Sequence, residues 1–155
     1  MAIQSGADLD AVYTSIDEGK TPALGDIFEG SGNKRYKFVQ YKEGTAATDG
    51  VAGEVAYYYT LDGYKLNQVT SDLSDSVEIG AGVLQAALSD TEYGWIQISG
   101  AATLTIALTA GADGDPLTPT GAGDGTLDVT SAVTDNICAI AGDASDNEII
   151  CRFPD

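Results

Sequence analysis

A chain of 155 residues with 43% hydrophobic content is long enough to bury a core without covalent staples and short enough to be one domain. It carries a formal net charge of −17 and no histidine, which excludes Ser-His-Asp and Cys-His nucleophile systems, histidine metal sites and imidazole acid–base chemistry. Residues 1–65 hold ten acids and six bases, whereas residues 66–155 hold fourteen acids and Arg152 alone; such a surface repels nucleic-acid phosphates and anionic membranes, so neither is expected as a partner.

The first ten residues, MAIQSGADLD, have no basic n-region and no apolar h-region. They do not read as a secretory signal, and synthesis in a cytoplasm is expected. Residues 8–19 give the one helical signal. Asp8 can cap, Leu9, Val12, Tyr13 and Ile16 recur at helical spacing, and Gly19 can stop the turn. This predicts a short helix or an arm. Residues 20–34, rich in Pro, Gly and small polar side chains, read as a linker. The expected organisation is therefore an N-terminal arm and linker over 1–30 and a β-barrel domain over 31–155.

From residue 35 strand signals follow quickly. RYKFVQYK (35–42) alternates, with Tyr36 and Phe38 opposed to Val39 and Tyr41. Residues 34–42 hold four of the seven bases, interleaved with aromatics, a pattern that taken alone suits single-stranded nucleic acid. In so acidic a chain it reads instead as a strand whose lysines meet an acidic surface of the same fold or of a neighbour. The run Tyr57, Tyr58 and Tyr59 faces both sides of a sheet, which suits a strand packed on both faces or an interface. Further strands are predicted at 64–70, 77–79, 82–88, 94–99, 103–109 and 126–130, with GVLQAAL (82–88) also compatible with a helical turn. TLTIALT (103–109) alternates most cleanly, with Leu104, Ile106 and Leu108 inward. Short strands joined by glycine-rich turns predict an all-β fold, a small barrel or sandwich of about eight strands.

The stretch EYGWIQISG (92–100) holds the single tryptophan. Ile96 and Ile98 share one strand face, and Tyr93, Trp95 and Gln97 share the other, so both faces carry large groups. The second face needs a further layer, from the chain itself or from a partner. Trp95 is thus either a core anchor or a contact residue.

Near the C-terminus, Asp113, Asp115, Asp124 and Asp128 lie in Asp-Gly loops. They are weak calcium candidates or a carboxylate dyad, without the spacing of an EF-hand loop, and Asp and Gly are also what tight turns require. GAGDG (121–125) lacks the lysine and spacing of a phosphate loop. No cofactor and no enzymatic activity are expected. Residues 137–141 and 148–153 predict a hairpin in which Cys138 faces Cys151. Two cysteines without histidine are too few for structural zinc, and reduced buried thiols are expected over a disulfide.

The order TPALGDIFEGSGNKRYKFVQYKEGTAATDGVAGEVAYY, then AGVLQAALSDTEYGWIQISGAATL, then a late DGTLD before the terminal strand, resembles the decoration (cement) proteins of tailed-bacteriophage capsids over residues 22–153. The resemblance is one of layout. It implies a structural virion protein on the outer capsid surface, a homotrimer that clamps major capsid protein subunits, often through an N-terminal arm. Leu9, Val12, Tyr13, Ile16, Tyr36, Phe38, Tyr58, Tyr93, Trp95 and Gln97 are then the interface candidates. A head–tail connector, a tail-tube subunit or a head-fibre base shares this composition. A carbohydrate-binding β-module, with Trp95 and tyrosines stacked on sugars, is the alternative of a different class.

Overall fold

The computed structural model describes residues 6–60 and 62–155. The fold is all-β, with ten strands in one sheet. In chain order these are β1 (Ile27–Glu29), β2 (Arg35–Tyr41), β3 (Val55–Tyr59), β4 (Gln68–Thr70), β5 (Ser76–Leu84), β6 (Tyr93–Thr103), β7 (Pro116–Thr118), β8 (Asp128–Val129), β9 (Ala139–Asp143) and β10 (Glu148–Arg152). A single turn of helix, α1 (Gly63–Leu66), lies between β3 and β4.

Five of these strands close on themselves. β2 pairs with β4 in parallel, and β4 with β3, β3 with β5, β5 with β6 and β6 with β2 all pair antiparallel. β1 adds to β2, while β10, β9, β7 and β8 extend from β6 as a four-stranded wing. β6 is the longest strand and belongs to both halves: its first part pairs with β2 and β5, its last with β10. One core fills ring and wing alike, from Val39, Tyr41, Val55, Tyr57, Val83, Ile96 and Ile98 to Leu117, Ala139, Ile149 and Cys151. The seam between β5 and β6 requires glycine. A methyl group at Gly82 would sit 2.8 Å from the Gln97 carbonyl oxygen and 3.0 Å from Ile96 Cβ, closer than packed atoms tolerate.

Several expectations are corrected. Residues 8–19 form no helix; they run irregularly, with a turn at Asp8–Ala11 and a single β-bridge from Tyr13 to Tyr93. A helix of this length is marginal without a face to bury, and the aromatic surface beside it takes Leu9 and Tyr13 from an extended chain instead. The stretch read as a linker contains β1, so the sheet begins ahead of residue 31. Residues 64–70 divide into α1 and β4 at Asn67, which takes the left-handed conformation that ends the helical turn. The clean alternation of 103–109 is not a strand: β6 ends at Thr103, and beyond it only Leu104 is buried. β5 ends at Leu84, and 85–88 continue neither as strand nor as helix.

The terminal hairpin forms in a different register. Cys151 faces Ala139 rather than Cys138, and a bulge lies between Glu148 and Ile149. Both cysteines are free and buried.

Candidate functional site

The β2–β6 pair presents one face to the ring interior and the other outward. Register places Tyr36 opposite Gln97, Phe38 opposite Trp95 and Gln40 opposite Tyr93, so the side chains predicted to share a face do share it. Phe38 sits at the centre of the aromatic group, 5.3 Å from Trp95 and 5.6 Å from Tyr13 in edge-on geometry, and stacked on Tyr93 at 6.3 Å. Phe28 of β1 closes the other side, 6.0 Å from Tyr36 and 6.4 Å from Trp95.

The layer over this face is the chain's own N-terminal segment. Ala7, Leu9 and Tyr13 pack onto the aromatics, and Tyr13 exchanges backbone hydrogen bonds with Tyr93, at 3.0 and 2.8 Å. Trp95 is 0% exposed and Phe38 equally so. The indole Nε1 has no hydrogen-bond partner among the described residues. A cleft of about 780 Å³ remains between the segment and the sheet, lined among others by Tyr13, Pro22, Asp26 and Trp95. Val12 and Ile16 are 42% and 39% exposed, and Ile16 also lines this cleft. The segment ends in a turn at Asp17, whose carbonyl accepts from the Lys20 and Thr21 N–H groups and whose carboxylate pairs with Lys20 at 2.9 Å.

The ten candidate interface residues thus fall into separate places. Tyr36, Phe38, Tyr93 and Trp95 lie together under Leu9 and Tyr13, while Val12 is exposed on the same segment and Ile16 is partly exposed at the cleft. Gln97 is buried, its amide donating to the carbonyls of Ser99 at 3.0 Å and Ala101 at 2.8 Å. Tyr58 of β3 packs on the opposite face of β2, where its hydroxyl accepts from Lys37 Nζ at 3.0 Å.

That lysine was legible only as part of a basic strand. In the fold it is 5% exposed, with its ammonium 5.4 Å from the Tyr58 ring centre and 5.3 Å from that of Tyr64. Burial holds its pKa below the ordinary lysine value, and Asp155 acts in the opposite sense. The rings supply the negative face that a carboxylate would otherwise supply. The signal available in the sequence was the alternation itself, which sets Lys37 beside Val39 and Tyr41 on the inward face.

The four acidic loop residues do not converge. Asp113 accepts from the Ala144 N–H, Asp115 from Ala112 and Asp124 from Leu73, each at 2.9 Å, while Asp128 accepts from Val129 at 2.8 Å. Each carboxylate satisfies a loop amide, the turn chemistry expected of Asp in such loops. Among the described residues no three His, Cys, Asp or Glu side chains gather into a set able to hold a metal ion.

No helix among the described residues is long and apolar enough to cross a membrane. No known protein family matches the chain, and neither a curated protein nor a solved structure matches it.

Proposed function

We propose that the protein is a structural virion component that binds the outer surface of a tailed-phage capsid and stabilises contacts between major capsid protein subunits. The observation that carries this reading is the N-terminal segment. It is fixed inward through Leu9 and Tyr13 and leaves Val12 and, at the mouth of the cleft, Ile16 partly exposed, apolar area available for docking on a larger surface. The acidic charge agrees with a position away from packaged nucleic acid. The layout resemblance to decoration proteins supplies the capsid as partner and a trimer as the assembly. A sugar-stacking role for Trp95 would first require the segment to be lifted from it.

Quantitative peptide mass spectrometry on density-purified particles tests the proposal by counting this chain against the most abundant shell protein. A copy number comparable with that of the shell protein is the expected result. A few copies per particle would move the protein to a connector, tail or fibre base. Its absence from particles would overturn the structural reading and leave a sugar-binding module to be tested on a glycan panel.

A further inference from the structure

The outward face of the wing carries an apolar row running across four strands. Ile150 of β10 stands opposite Ala101 of β6 on one side and Ile140 of β9 on the other, and Ile140 stands opposite Pro116 of β7. At a strand spacing of about 4.8 Å the row spans roughly 14 Å. Ile150 is 43% exposed although its neighbours Ile149 and Cys151 are buried, so the row is the solvent side of a sheet whose other side is core.

β10 also projects Glu148 and Arg152 from this face, on either side of Ile150 and each roughly 7 Å away along the strand. Both are exposed, and neither makes an ion pair or side-chain hydrogen bond among the described residues. Arg152 is the only base in residues 66–155. An unpaired arginine beside an apolar row, across Ser99 from a second arginine, Arg35, calls for an acidic group placed at a fixed distance from an apolar partner. The chain itself offers that group, Glu148.

We propose that this face binds a second copy of the chain about a two-fold axis lying along the apolar row. Rotation about that axis reverses β10, so Ile150 meets Ile150, Ile140 meets Ile140, and Arg152 of each copy meets Glu148 of the other. Such a contact is isologous and closes after two copies. A generally basic partner would leave Arg152 facing like charge, whereas a second copy satisfies both charges at once. The face is smaller than the ~1,200 Å² or more of a standard stable interface, so the association is weak and concentration-dependent. The contact does not rest on the virion reading, and it adds to any threefold contact by doubling the smallest unit present.

The test is sedimentation of the full chain over a concentration series at about 0.15 M salt, where a Debye length of about 8 Å screens the repulsion of two acidic bodies. The expected result is doubling of the smallest unit. Arg152→Glu and Glu148→Arg should each weaken doubling by about tenfold or more, because each sets like charges against one another. Mixing the two variants should restore it, since the mixed pair again places Glu opposite Arg at both positions. Restoration also shows that both variants are folded. No doubling of the parent chain, doubling indifferent to either reversal, or single variants that fail to rescue one another while retaining native circular dichroism would each overturn the proposal. Particle counting bears on the capsid reading alone, so the two can fail separately.

Discussion

Burial pushes the thiols of Cys138 and Cys151 up to about 12, with their mutual proximity adding to the shift at Cys138. Tyr57 and Tyr58 are raised for the same first reason, loss of solvent. An unfolded thiol titrates near ~8.5. The folded chain therefore holds protons that the unfolded chain releases, and this contribution is complete below about pH 8.5 and lost as pH rises towards the folded values. Each thiol adds a slope of up to about 1.4 kcal/mol per pH unit in that window. The urea midpoint should fall clearly between pH 8 and pH 10.5, and less steeply in the Cys138→Ala, Cys151→Ala double variant. An unchanged slope in that variant would assign the alkaline loss to the tyrosines. Lys37 poses the complementary question of shape against charge. Its stem packs on the inward face and its ammonium sits over Tyr58 and Tyr64, so Lys37→Met should stay within about 1 kcal/mol of the parent while Lys37→Ala loses about 2–3 kcal/mol. Equal losses in the urea midpoint would show that the charge is what matters.

The element that bears on function is the N-terminal segment. It contributes half-buried Leu9 and Tyr13 and one β-bridge, worth about 2–4 kcal/mol of apolar burial. A chain lacking residues 1–20 should keep its ring, lose stability of that order, and show Trp95 emission shifted to the red and open to acrylamide quenching. Unshifted, protected emission would mean that β1 and Phe28 alone cover the indole. The sequence allowed the two-faced character of β2 and β6 to be read, because alternation over a strand places Phe38 and Trp95 together whatever lies above them. It did not reveal what lies above, since Leu9, Val12, Tyr13 and Ile16 fit a helical period as well as an irregular strand-like path. The 103–109 stretch failed for a related reason. Alternation states that a strand would be amphipathic, but β10 starts at Glu148, so its pairing with β6 runs out at the bond from the Leu104 N–H to the Asn147 carbonyl, and beyond it the chain leaves for other partners, Thr105 donating to Gly53 and Thr109 to Leu127. The terminal hairpin was placed correctly as an element and wrongly by one residue: strand pairing reaches Asp143 and Glu148, so the turn is two residues shorter than the 142–147 loop that alternation suggests, and the bulge, a backbone feature with no side-chain signature, takes back one of the two.

At the scale of the whole molecule, a charge of −17 on 155 residues opposes compaction. Raising NaCl from about 20 mM to about 0.5 M should therefore increase Tm by about 3 °C or more, close to 1 kcal/mol for a domain of this size. A flat or falling Tm would mean that the four ion pairs among the described residues, between Lys20 and Asp17, Arg35 and Glu29, Arg35 and Asp155, and Lys42 and Asp90, offset the repulsion locally. The closed ring also has a consequence for synthesis. β2 is complete when residue 41 has been made, but its partner β6 ends its pairing with β2 only at Ser99. At about 5–20 residues per second a ribosome needs roughly 3–12 s to add the intervening chain. Through that interval Phe38 and Tyr41 stand on a strand that has β1 and later β4 beside it but lacks its longest partner, with neither closed barrel nor indole to cover them. Until its only tryptophan has left the exit tunnel, the nascent chain exposes apolar surface of the kind that holdase chaperones cover.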